Sequence, residues 1–171
     1  MYKKVFTLLF LLSSFQFLIA QTSLLKNFPE GYTPDEIGRR IAYRFVTEKH
    51  ALHAGKWIGY PETFYWNGSL KYAAAAKDKA LIKLLQARFE HLFTTEKALL
   101  PIKNHVDLNM FGSLPLELYW VTKDERYKEL GLPYADTQWE VPADAKPAEK
   151  EWAEKGYSWQ TRLWIDDMYM I

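Results

Sequence analysis

Between Asp78 and Phe93 the large apolar side chains fall at Leu81, Leu84, Leu85, Phe89, Leu92 and Phe93. Steps of three and four residues gather them on one side of a helix, whereas a strand would scatter them over both faces. Asp78 stands just ahead of the run, where a short polar side chain caps a helix. The same pattern recurs upstream. Thr33-Pro34-Asp35-Glu36 reads as a helix start, with Thr33 as cap, Pro34 in the first turn and Glu36 closing a capping box. Ile37, Ile41 and Phe45 then form a stripe on a helix running to about Lys49. A Gly-containing break at His53–Gly59 follows, and Pro61 opens a second helix through Leu70 to Ala76, whose alanines let a neighbour approach closely.

Downstream, Asp107 to Lys123 is expected to form a fourth helix kinked at Pro115, and Asp124 to start a short fifth one ended by Gly131 and Pro133. Residues Val141 to Gly156 are rich in Pro, Ala and charge and read as a surface loop. The apolar pattern resumes at Arg162 and continues to Ile171 with no residue that closes a helix, so further helices are expected beyond it. No segment alternates long enough to argue for a sheet. The fold class is therefore all-α, built from successive helical hairpins.

The first 20 residues stand apart. Lys3 and Lys4 precede an almost wholly apolar run from Val5 to Ala20, shorter than the roughly 20 residues of a spanning helix. This is a signal-peptide pattern, with cleavage expected near Ala20–Gln21 and a periplasmic or secreted mature protein, residues 21–171, outside the membrane. Charge is close to balanced, at 22 basic and 21 acidic residues, so nucleic acid is not an expected partner. With no Cys, neither disulfides nor a lipid-anchored cysteine can contribute. Oligomeric state has no signature in the sequence.

Chemistry concentrates in three clusters: Tyr60 to Gly68, with packed aromatics including Tyr65 and Trp66 and hydrogen-bonding groups at a helix start; Asn104 to Gly112, with His105 and Asp107; and Arg162 to Met170, with Trp164, Asp166 and Asp167. Asp107, on its own, reads most simply as a helix cap. Asp166 sits among Trp164, Ile165, Met168 and Met170, where burial favours the protonated carboxyl that a general acid needs. Asp167 would face about 100° away on a helix and could be solvated. The bland reading is that both carboxylates cap or pair structurally. His105 has no second His or Cys at ligand spacing, and His50 and His53 have no evident carboxylate partner in the sequence, so neither metal nor cofactor is expected.

In this order, the clusters resemble the unsaturated uronyl hydrolases of glycoside hydrolase families 88 and 105, with the closest likeness to unsaturated rhamnogalacturonyl hydrolases. Trp164-Ile165-Asp166-Asp167-Met168-Tyr169-Met170 matches their Trp-x-Asp-x-x-(Phe/Tyr)-Met signature. Asp107, Gly112, Leu116, Leu118 and Tyr119 match an earlier Asp, Gly and Leu-rich turn, and Thr122-Lys123-Asp124-Glu125-Arg126-Tyr127 resembles the segment that follows it.

The resemblance implies an (α/α)6-barrel of which this chain spans about the first half. It also implies a substrate: an oligosaccharide ending in a 4,5-unsaturated uronic acid, as polysaccharide lyases produce. Asp166 would protonate C4 and Asp107 would hold water or sugar hydroxyls. Tyr65, Trp66 and Trp164 would form an aromatic wall, with His105 and Arg162 as further substrate-binding candidates. The sequence departs from the pattern in having no His between Lys155 and Thr161. Later family segments bearing His and an Arg-Gly-Asn-Gly-Trp-like stretch would lie past Ile171, so the chain alone is expected to be a poor catalyst. Two other readings stay open: an (α/α)6-barrel enzyme acting on saturated glycans, and a non-catalytic helical module that binds sugar or a partner.

Overall fold

The computed structural model of the chain describes residues 27–160. The signal-peptide run, the apolar stretch from Arg162, and with it Arg162, Trp164 and Asp166, lie outside the described residues. The described elements are α1 (Pro34–Thr47), β1 (Leu52–His53), β2 (Trp57–Ile58), α2 (Tyr60–Ala75), α3 (Lys79–Glu90), α4 (Val106–Asn109), α5 (Ser113–Thr122), α6 (Glu125–Asp136) and α7 (Pro147–Glu154), with 3-10 turns at His91–Phe93, Lys97–Leu99 and Met110–Gly112. The division between two compact units falls between Ile37 and Gly38.

In the first unit, the capping box forms as the residue pattern requires. The Glu36 N–H donates to Thr33 Oγ1 at 3.2 Å, and the Thr33 N–H donates to Glu36 Oε2 at 3.0 Å.

In the second unit, α2 packs on α3 and α5, and α5 packs on α6. Asp78 caps α3 through a bond from the Leu81 N–H (3.0 Å), and Asp124 caps α6 through one from Arg126 (3.1 Å). The core gathers Phe45, Trp66, Leu70, Leu81, Leu85, Phe89, Phe111, Leu118 and Tyr127. Phe89 is its hub, with ring centroids of Trp66, Phe93, Phe111 and Tyr127 all within 6.0 Å. Burying a side chain of that size contributes about 1.5–3 kcal/mol, so much of the chain's aromatic content is core. Apart from two short strands, every described element is helical, and the fold is all-α.

Five local expectations need correction. The break at His53–Gly59 holds a small antiparallel hairpin, with Leu52 opposite Ile58 and His53 opposite Trp57; two-residue strands are too short to alternate visibly. The stripe on α1 is centred on Ala42 and Phe45, while Ile41 is 47% exposed, because Gly38 lies against the Tyr72 ring and sets which face turns inward. The break in the fourth helical region falls at Met110–Gly112 rather than Pro115. Pro115 is the third residue of α5, in the first turn, where N–H groups have no partner within the helix. α6 runs through Gly131 and Pro133 to Asp136, because packing outweighs propensity there: Tyr134 is buried and its hydroxyl donates to the Pro101 carbonyl at 2.8 Å. Finally, residues 147–154 of the expected loop are helical. Pro147 occupies the first turn and the Lys146 N–H donates to Glu149 Oε2 at 2.7 Å, a start signal hidden by the charge around it.

Where α5 and α6 meet, two glycines set the spacing. A Cβ on Gly112 would lie 2.6 Å from Tyr134 Cβ and 3.0 Å from the Gly131 carbonyl, and one on Gly131 would lie 2.8 Å from Leu116. Gly112→Ala is therefore expected to destabilise the protein by about 1–3 kcal/mol, read as a lower urea midpoint with unchanged slope.

Candidate active site

Asp107 is half-buried at the second position of α4, a single turn. It is not the cap of that turn. His105 is, through Nδ1, which accepts from the Asp107 N–H at 3.2 Å. The Leu108 and Asn109 N–H groups reach the His105 carbonyl at 2.9 and 2.7 Å, and the Val106 N–H donates to Gln160 Oε1 at 2.7 Å. A side chain 54 positions downstream thus completes the start of the turn.

A set of amides surrounds it. The Asn104 N–H donates to Asn109 Oδ1 (2.6 Å), Asn109 Nδ2 donates to Gln138 Oε1 (2.6 Å), and Asn104 Nδ2 donates to the Glu140 carbonyl (2.8 Å). Trp159 Nε1 donates to Asn104 Oδ1 at 2.7 Å. Asn104 adopts a left-handed backbone with φ 58°, which asparagine tolerates better than most residues. Beside the turn lies a cavity of about 410 Å³ lined by His105, Lys146, Glu149, Trp152, Trp159 and Gln160, among others. Two indoles beside hydrogen-bonding groups make a surface suited to stacking and orienting a sugar ring. The His105 ring also meets that of His53 on the hairpin, with centroids 5.9 Å apart.

The structure separates the two aromatic candidates on α2. Trp66 is 0% exposed, its Nε1 donates to the Leu85 carbonyl at 3.3 Å, and its ring packs against Phe45 and Phe89. It has no face available to a sugar, so its place in an aromatic wall is corrected to a place in the core. Tyr65 is partly exposed and lines a different cavity, of about 350 Å³, with Ile41, Arg44, Phe45, Glu48 and Glu62 among its neighbours; its hydroxyl donates to the Ile41 carbonyl at 3.1 Å. The two cavities share no lining residue: His105 lines the first, Tyr65 the second and Asp107, on the turn capped by His105, lines neither.

A second polar cluster was not anticipated, and it corrects the view that His50 lacks a carboxylate partner. Glu62, 2% exposed, accepts from His50 Nδ1 (2.6 Å), from the Ala51 N–H (2.9 Å) and from Arg88 Nη2 (3.0 Å), and His50 Nε2 faces Glu96 at 3.3 Å. Arg88 Nη1 also donates to the carbonyls of Val46 and Glu48, at 3.3 and 2.7 Å. Its guanidinium carbon lies 4.5 Å from the Phe45 ring centroid and 5.3 Å from that of Trp66. Burial alone pushes the Glu62 carboxyl up, but the bonds from His50, Ala51 and Arg88 outweigh it and hold it below its ordinary value.

Helical spacing carried the signal for this cluster. Glu62 falls in register with Trp66, Leu70 and Ala73, and Arg88 with Leu81 and Leu85. Nothing in the local sequence marks Gln138 or Gln160, because their partners on the turn lie 29 and 54 residues away. Among the described residues no group of three His, Cys, Asp or Glu side chains could hold a metal ion.

The cavity beside the Asp107 turn, with its two indoles, does not by itself define a class of protein. Comparison makes the class specific. The model of Glycosyl Hydrolase Family 88 matches residues 35–171, and the chain belongs to that family. It is thus a glycoside hydrolase, and its substrate is an oligosaccharide. No curated protein and no solved structure gives a significant match to the chain.

Proposed function

We propose that the protein releases the terminal 4,5-unsaturated uronic acid, galacturonyl or glucuronyl, from oligosaccharides left by polysaccharide lyases. The observation that carries this reading is the family match across residues 35–171, which spans both Asp107 and the Trp164-to-Met170 motif. Asp166 donates a proton to C4 of the enol ether, and water adds its oxygen to C5. The resulting C5 hemiketal opens at its bond to the ring oxygen, giving a ketone at C5, and the hemiacetal left at C1 collapses to an aldehyde as the departing sugar leaves with a proton on its oxygen. The double bond is hydrated rather than the glycosidic carbon displaced, so the two carboxylates do not act as the nucleophile and acid of an ordinary retaining glycosidase.

Asp107 holds the attacking water or a hydroxyl of the uronyl ring. Support for its role comes from the turn that carries it: half-buried, capped by His105, next to the indole-lined cavity, and bonded through Val106 to Gln160, six positions ahead of Asp166 in the chain.

The test follows the ultraviolet absorbance of the C4=C5 bond during incubation with unsaturated galacturonyl and glucuronyl oligosaccharides. The full-length protein is expected to remove it. Asp166→Asn is expected to slow its loss at least about a hundredfold while leaving the circular dichroism spectrum unchanged, as befits loss of a positioned proton donor. Persistence of the chromophore with every such oligosaccharide sinks the reading, and an active Asp166→Asn protein assigns the proton to another group.

A further inference from the structure

We propose that Gln160, together with Asn104 and Asn109, is a positioning element for the hydrolysis, holding the Asp107 turn in register with the chain that leads into the Asp166 motif. This rests on the roles proposed above for the two aspartates.

The turn cannot hold itself. α4 has only four residues, far below the length at which a helix is stable alone. Its geometry is imposed from outside, and each of its N–H groups has an acceptor: Gln160 Oε1 for Val106, His105 Nδ1 for Asp107, and the His105 carbonyl for Leu108 and Asn109. At the start of the turn, Asn104 bends through its left-handed backbone and bonds back to Asn109 Oδ1 across the turn. From one side, Gln138 and the Glu140 carbonyl fix Asn109 and Asn104; from the other, Trp159 and Gln160 fix Asn104 and Val106.

The groups that form this clamp are neutral side-chain amides, an indole and the backbone. They fix position without adding a charge of their own beside Asp107. Asn109 is 6% exposed and uses both ends of its amide, so the turn cannot shift without leaving a buried polar atom unpaired. In the chain, Gln160 stands two positions before Arg162 and six before Asp166. A displacement of about 1 Å in such a group can cost on the order of a hundredfold in rate.

The experiment compares Gln160→Leu and Gln160→Glu with the wild-type protein, by amide hydrogen exchange at Val106 and by kcat and KM on an unsaturated uronyl oligosaccharide. Gln160→Leu is expected to exchange Val106 about tenfold faster, the equivalent of roughly one hydrogen bond. It is also expected to lower kcat by about 10- to 100-fold with KM unchanged. Gln160→Glu, which keeps an acceptor, should restore slow exchange. Unchanged exchange at Val106 in the Leu variant overturns the clamp. Faster exchange with unchanged kcat overturns its role in the reaction and leaves a structural bond. A wild-type protein inert toward every unsaturated oligosaccharide fails at the function proposed above and takes this inference with it, whereas an active one isolates the effect of Gln160.

Discussion

Arg88→Met will lower the stability of the protein by about 3–5 kcal/mol, the cost of leaving a buried charge without its partner. Glu62 is buried in the first turn of α2, and Arg88 is the cation that bonds it while also satisfying the Val46 and Glu48 carbonyls near the end of α1. Methionine preserves most of the volume between Phe45 and Trp66 but returns none of these bonds. Urea denaturation at neutral pH measures the loss; one below about 1 kcal/mol would mean that His50 and the Ala51 N–H suffice for the carboxylate. Adding Glu62→Leu to the Arg88→Met protein should recover part of the loss, because two apolar groups replace a buried pair more cheaply than one orphaned charge can be kept.

The same cluster sets an acid limit. The Glu62 carboxyl is held below its ordinary value of 4.5 in the folded protein. Its contribution to stability is therefore complete above that value and is lost as pH falls through the lowered folded one. In Arg88→Met the carboxyl has one bond fewer and its folded value rises, so the acid-unfolding limb should move to higher pH.

Trp66→Ala carries a comparable expected cost, about 3–5 kcal/mol, because it empties the centre of the aromatic core. The indole touches Phe45 and Phe89, lies under the Arg88 guanidinium and donates to the Leu85 carbonyl, so truncation opens a cavity and removes a buried hydrogen bond at once. The substitution also separates the two roles this residue could have had. A core Trp66 predicts that Trp66→Phe lowers stability while leaving KM for the oligosaccharide unchanged. A sugar-stacking Trp66 would raise KM instead. Paired denaturation and kinetic measurements on Trp66→Phe distinguish them.

These two residues show where linear reading was sound and where it failed. The helix starts at Thr33, Asp78 and Asp124 were legible because a cap and the N–H that donates to it lie within three positions of one another. The stripe on α3 was legible because its period is a property of one element. Trp66 was misread for a different reason. An aromatic beside Tyr65 and Asn67 looks alike in sequence whether it faces a cavity or a core, and only the packing of α3 against α2 decides which. Arg88 was overlooked because a charged residue at an inward position reads as a solvated one until its partner, 26 positions away, is known.

At the candidate site the division is sharper. His105 and Asp107 were singled out from their residue types, and they lie on one turn. The assignment of Asp107 as a cap failed because His105, two residues earlier, supplies the acceptor. The clamp of Asn104, Asn109, Gln138 and Gln160 was invisible, since amides have no periodicity and form this set only after residues 104–109 meet residues 138–140 and 159–160.

Sequence alone thus determined what depends on neighbours within a turn or two, the all-α class and the main helix starts, together with the hydrolase family to which the chain belongs. Tertiary structure alone decided which faces turned inward, that α6 continues through Gly131 and Pro133, that Trp66 belongs to the core, and how the Asp107 turn is held. The physical reason is range. Caps and periodicity act over about 5–6 Å along one helix, whereas burial and long-range hydrogen bonds exist only once segments far apart in the chain exclude water from the space between them.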